Sequence, residues 1–212
     1  MRRMRVCWAV EQRFIKIMLY EIDRFICELN EINGLYLDTV VSYTERYKMI
    51  VGQQIQIARS INKTIEELDK IPFAYAKTIE DRNNDNWSYV CTQGYLKKKL
   101  CENGIHHNLM GRLCLVLIYE YWESVRRVLE KNLQTKVSFD LMGDLRYIRQ
   151  SIIHNISIAV KDIEKSKILK WHHYGNPIII NSDRFDQIII RTKRDVLILN
   201  LIIILKNHRG KI

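Results

Sequence analysis

Apolar residues recur at intervals of three, four and seven along most of this chain, a spacing that predicts helices. Within residues 4–32, Val6, Val10, Phe14, Ile17, Met18, Phe25 and Leu29 make one such stripe. Asn33-Gly34 is expected to end it, the glycine being free to take a left-handed cap. A second helix starts at Asp38 or Thr39 and runs through Val40, Tyr43, Tyr47, Ile50, Ile57 and Ile61 towards Ile71, with Gly52 a weak point and Pro72 its stop. Residues 80–88, EDRNNDNWS, are polar and rich in turn formers, and read as a long surface loop. Residues 97–104, KKKLCENG, read as a basic helix end followed by a turn.

The third strong helix covers residues 108–132 and is apolar on several faces between Leu113 and Trp122, as a central buried helix would be. One of Glu120 and Glu123 is expected against an Arg and the other in water. A fourth helix starts near Ser138 or Asp140, either of which can cap it. Asp140 and Asp144 place negative charge at its positive end, and the pattern carries it on to residue 169. A short strand-like piece at 178–180 precedes a last helix from Ser182 or Asp183 through Leu205. The β-branched content of that last stretch leaves strand open as well.

Composition narrows this to an all-α fold. The 212 residues include only 8 Gly and 2 Pro, so most of the chain can be continuous helix or strand, and the long segments with heptad-like spacing favour helix. No repeat or linker divides residues 1–212, which reads as one domain with a C-terminal extension over 175–212. The formal charge of +10 raises the prior for a polyanionic partner, although basic residues scattered over helix faces would give the same total. Five cysteines without a Cys-x-x-Cys pair suggest reduced thiols in a cytosolic protein, with Cys27 and Cys114 packed in the core. Cys101 with His106 and His107 fits no zinc spacing, so neither metal nor cofactor is expected. Charges interrupt the N-terminal apolar stretch before a secretory core forms. The longest apolar run, residues 196–205, is too short for a bilayer, so no membrane association is expected.

Candidate chemistry concentrates on the fourth helix. At about 100° per residue, Leu141, Leu145, Ile148, Ile152, Ile156, Ala159 and Ile163 share one sector, and His154 falls roughly 160° from its centre. Arg146, Gln150 and Ser157 share the far side with His154, and Arg149 lies between that side and the core. Ile153, also off the core sector, suggests a surface that meets a second subunit.

The segment GDLRYIRQSIIHN, residues 143–155, resembles the signature of HEPN domains: an Arg, a polar residue, then a His after four to six positions. Here the run is Arg149-Gln150-Ser151-Ile152-Ile153-His154, preceded by Gly-Asp-Leu-Arg, followed by Asn155, and set behind a helix containing YEYWESVRR. The likeness spans residues 108–155 well and the N-terminal helices loosely. Gln150 stands where Asn, Asp or His is commoner.

The resemblance implies a HEPN-like four- to five-helix bundle, a homodimer whose two motifs share one cleft, and metal-independent cleavage of RNA. Such cleavage needs proton transfer and stabilisation of an anionic phosphorane. An imidazole titrates near neutrality, which suits His154 as base or acid. A guanidinium stays charged and offers forked donors to phosphate, which suits Arg149. Gln150, Asn155, Arg146 and Asp144 are supporting candidates. Arg149 and His154 lie about 140° apart on a straight helix, so a composite site across a dimer is the mechanistic expectation. Lys97, Lys98 and Lys99, with His172 and His173 in a loop, are further candidates for RNA contact, against the plainer reading of solvated polarity. The implied roles are toxin or phage-defence effector, restrained by an antitoxin or regulatory partner. A non-catalytic RNA-binding or assembly module and a helical adaptor are the competing readings.

Overall fold

A computed structural model describes the backbone of residues 2–209 and the side chains of residues 14–205. Val6, Cys7 and Val10 therefore lie outside the described side chains. Among the described residues, seven α-helices and one two-stranded sheet follow one another: α1 (Arg2–Ile61), α2 (Ile65–Asp69), β1 (Pro72–Tyr75), α3 (Ile79–Asn83), β2 (Tyr89–Thr92), α4 (Gln93–Leu100), α5 (Ile105–Leu133), α6 (Asp140–His154) and α7 (Ser182–Arg209). The fold is all-α with a small β element. No described helix is long and apolar enough to cross a membrane.

The expected break at Asn33-Gly34 is absent, and α1 is one helix of 60 residues. Its buried residues explain this. Met18, Ile22, Phe25, Leu29, Ile32 and Tyr36 alternate spacings of four and three, and the same phase continues through Tyr43, Tyr47, Ile50 and Gln54. A helical glycine costs only about 1 kcal/mol relative to alanine, less than one buried large side chain contributes. Phe14, Ile17, Ile57 and Ile61, expected on the buried stripe, are exposed instead. The helix stops where Asn62 turns left-handed, with φ of 51°.

The chain divides into two compact units, and the boundary runs through the continuous helices α1 and α5 instead of a linker. One unit comprises residues 1–36 and 111–212. Its core joins Phe25 to Trp122 (ring centroids 5.8 Å apart), Trp122 to Phe139 (5.3 Å) and Tyr36 to Phe185 (4.0 Å). Leu115, Ile118, Leu141, Leu145, Ile148 and Ile188 complete it. Cys114 is buried there, which pushes its thiol up to about 11, whereas Cys27 is exposed, on the solvent side of α1, and is no core packer.

Two expectations in this unit are corrected. α6 ends at His154 and does not run on to residue 169. Ile156 and Ser157 both take positive φ, and the turn is held by Ser157 N–H on the Ser151 carbonyl (3.0 Å) and Val160 N–H on Ser151 Oγ (3.1 Å). Ile156 is thus 92% exposed, whereas Ala159 and Ile163 are buried from the loop and from a 3-10 turn over Lys161–Lys165. Residues 178–180 form no strand either. Their neighbourhood has a single bridge, Ile158 to Pro177, and Ile178 and Ile180 are buried while Ile179 faces out. Gly111 of α5 permits this close approach, since a Cβ there would collide with the Ile180 carbonyl oxygen.

The other unit, residues 37–110, holds the sheet. β1 and β2 are antiparallel with Phe73 opposite Cys91 and Tyr75 opposite Tyr89. Ile50, Leu96 and Leu100 form its apolar centre, with Tyr43, Tyr47, Phe73 and Cys91 packed on it. The buried Gln54 amide donates to Asp69 (3.0 Å) and Gln93 (2.9 Å). The polar stretch 80–88 is the hairpin connection and carries α3, capped by the Thr78 side chain, where a plain loop was expected.

Candidate functional site

α6 forms because its apolar positions 141, 145 and 148 are buried on one face while Asp140 stands in its first turn. Every residue from Arg149 to His154 is helical, so the angular separation of the two motif residues persists. No hydrogen bond joins Arg149 to His154 among the described residues. Arg149 turns to α5: its Nη2 lies 2.6 Å from Glu120 Oε1, and its guanidinium carbon lies 5.6 Å from the Tyr119 ring centroid. Its Nε is buried without a partner. His154 is the last residue of α6 and is exposed, off the buried sector as its angular position requires.

Both acids of the YEYWESVRR stretch are therefore paired. Glu120, the more exposed, holds Arg149. Glu123 takes Arg126 through two bonds (3.0 and 2.8 Å), and Arg126 also grips both Glu130 oxygens at 2.9 Å. The Arg126 guanidinium holds the Glu123 carboxyl below its ordinary value. The Tyr119 hydroxyl donates to Glu123 (3.1 Å), and burial, helped by that carboxylate, pushes the phenol up to about 12.

The supporting candidates fall in different places. Gln150 is half-buried beside Arg149. Arg146 is exposed, stacked 5.0 Å over the Tyr147 ring, and lines a cleft of about 500 Å3 with Tyr119, Phe139 and Lys136. Asn155 spends its amide on the Ile158 carbonyl (2.8 Å), shaping the turn after α6. Asp144 is buried, and its two oxygens accept the backbone N–H groups of Lys167, Ile168 and Leu169 at 2.7–2.9 Å. That is a clamp on the following loop, formed by a residue expected to serve the site.

The outlying candidates also change. Lys97 is committed to Asp69 at 2.7 Å, and Lys99 lies over the rings of Tyr89 and Tyr95, whereas Lys98 is exposed. His172 is buried, not a loop residue open to RNA. Its burial, with Arg184 nearby, lowers it to about 4, so it is neutral at physiological pH. His173 is exposed, 3.6 Å from Glu164. Sequence reasoning set one of Glu120 and Glu123 against an Arg without naming Arg149, and did not find the ring-and-cation arrangement around β1 and β2. The alternation Phe73-x-Tyr75 and Tyr89-x-Cys91 was the available signal for the latter. No family model matches the chain, and no curated protein or solved structure matches it.

Proposed function

We propose that this chain is a HEPN-type, metal-independent endoribonuclease, acting in the cytoplasm as a homodimer. The observation that carries the reading is the accessible imidazole of His154 at the end of the helix that also bears Arg149. In the reaction, a ribose 2′-oxygen attacks the adjacent phosphorus and its proton passes to a base. The bond from phosphorus to the 5′-oxygen breaks, and that oxygen gains a proton from an acid. The products are a 2′,3′-cyclic phosphate and a 5′-hydroxyl. His154 serves as base or acid. Arg149 leaves Glu120 to stabilise the phosphorane, its fork matching two phosphate oxygens.

Charge supports an RNA substrate. Residues 111–212 contain 18 Lys and Arg against 10 Asp and Glu, so this stretch holds most of the excess. Exposed Ile153 on α6 and the exposed row Leu113, Leu117 and Tyr121 on α5 support self-association. A nuclease of this kind acts as a toxin or phage-defence effector and requires an antitoxin or other regulatory protein to restrain it. The Glu120–Arg149 pair favours a second reading, a non-catalytic RNA-binding module in which the arginine stays occupied.

The test is incubation of the purified protein with total RNA in chelator, followed by end mapping. Cyclic phosphate ends are expected from the wild type. Cleavage by His154→Ala is expected to fall about 100-fold or more, the usual scale of acid–base catalysis. Undiminished cleavage by a folded His154→Ala protein would remove the residue from the mechanism.

A further inference from the structure

We infer that the β1–β2 hairpin and its α3 connection form a binding site for single-stranded RNA, separate from the chemistry on α6. The observation is a cavity of about 900 Å3, within the roughly 300–1,000 Å3 range of ligand pockets. Three aromatic rings, Phe73, Tyr75 and Trp87, and three cations, Arg46, Lys77 and Arg82, line it. No carboxylate does. None of the three cations is in an ion pair among the described residues, and Arg46 Nε is buried without a hydrogen-bond partner. Of the acids beside the lining residues in sequence, Asp81 is committed to Thr78 and Asn86 and Glu45 to Lys48, while Glu80 and Asp85 are exposed and line no part of it.

Local geometry explains how the rings come together. Phe73 and Tyr75 are two apart on β1 and share a face, 4.9 Å between centroids, and Tyr89 opposite extends the row at 5.9 Å. Arg46 lies 5.1 Å over Tyr75 and 5.8 Å over Phe73, and Lys99 lies 4.2 Å over Tyr89. Trp87 stays 38% exposed. A folded domain gains little by leaving an indole open in a cleft where, among the described residues, Lys77 and Arg82 have neither a carboxylate nor a ring as partner. A chain of flat bases joined by phosphates matches both features, because any base can stack and each phosphate meets a cation. A rigid duplex keeps its bases stacked inside and offers these rings nothing. The choice of polymer rests on the RNA-directed reading above, and the site supplies substrate affinity while α6 supplies cleavage.

The experiment uses full-length His154→Ala protein, so binding is read whether or not the wild type cuts. Fluorescence anisotropy with a labelled 12-nucleotide oligouridylate gives Kd, and a duplex of equal length and free uridine monophosphate are the comparisons. The double variant Tyr75→Ala, Trp87→Ala is expected to raise Kd about tenfold or more, as loss of base stacking does. The exposed pair Lys77→Ala, Arg82→Ala, which leaves the packing intact, is expected to weaken binding and to reduce the slope of log K against log salt by about 1.4. Tryptophan fluorescence is expected to quench with the single strand, and the quench to vanish in Trp87→Phe. Unchanged Kd and salt slope in these variants would overturn the inference. So would equal affinity for the duplex, or competition by the mononucleotide at the RNA's own concentration range. Loss of cleavage by His154→Ala with intact binding bears on the nuclease reading alone.

Discussion

Arg149 is held by two contacts of modest strength, and that modesty matters for its chemistry. Its partner Glu120 has a side chain 49% exposed, and pairs of that exposure contribute about 0–1 kcal/mol. A phosphate can therefore displace the carboxylate without a large penalty, while Tyr119 keeps the guanidinium in place. The exposure of His154 was legible from its angle on the helix alone. The Glu120 partnership was not, because the two residues lie on different helices and no spacing rule links them. His172 failed for a related reason: a polar pair after Trp171 looks like loop surface, yet the loop folds one of the two histidines inward. The burial has a measurable consequence. His172 titrates near 4 when folded and near 6.5 when unfolded, so between those values the unfolded chain binds the extra proton. Its linkage term is thus absent above about pH 6.5 and costs stability as pH falls towards 4. Urea unfolding of the wild type is expected to lose about 2 kcal/mol between pH 7 and pH 5 through this residue. His172→Phe is expected to flatten the profile by that amount, and an unchanged profile would show that the ring is not buried in the folded state.

At the level of elements, helix phase proved a better guide than punctuation. Gly34 looked like a stop, but Leu29, Ile32, Tyr36 and Val40 keep the same three-and-four spacing across it, and a true stop would break that phase. The reverse happened in α6, whose apolar positions continue in phase past His154 while the backbone turns away, through two consecutive residues of positive φ that no propensity favours. The hairpin was illegible for a third reason: each strand is four residues long, too short for alternation to stand out from a helical pattern. Glycine substitutions separate these cases. A Cβ at Gly34 would meet nothing within 4 Å, so Gly34→Ala is expected to stabilise the protein by about 0.5–1 kcal/mol. At Gly111 the same methyl would strike the Ile180 backbone, and Gly111→Ala is expected to cost about 1–3 kcal/mol. Thermal unfolding of the two variants should move in opposite directions. A destabilised Gly34→Ala would argue for a break in α1.

For the whole molecule, the all-helical class followed from three-and-four spacing along a chain with few glycines and prolines, but the oligomeric state has to be argued from surface. α7 exposes Ile190, Leu197 and Ile204 at intervals of seven, with Leu201 and Leu205 beside them, and α5 exposes Leu113, Leu117 and Tyr121. Such rows, left in water on one chain, favour a symmetric partner. Symmetry makes the composite site testable without a structure of the dimer. If the imidazole of one subunit works with the guanidinium of the other, a dimer of one Arg149→Ala and one His154→Ala subunit contains one damaged site and one intact site. Random exchange makes half of all dimers mixed, so the mixture is expected to regain about a quarter of wild-type cleavage, although each variant alone is inactive. If both groups act from the same chain, every site in the mixed dimer lacks one of them and nothing is regained. Co-refolding the two variants in equal amounts and measuring RNA cleavage decides between these geometries. The angle of about 140° between Arg149 and His154, on a helix that stays regular from one to the other, makes the first outcome the expected one.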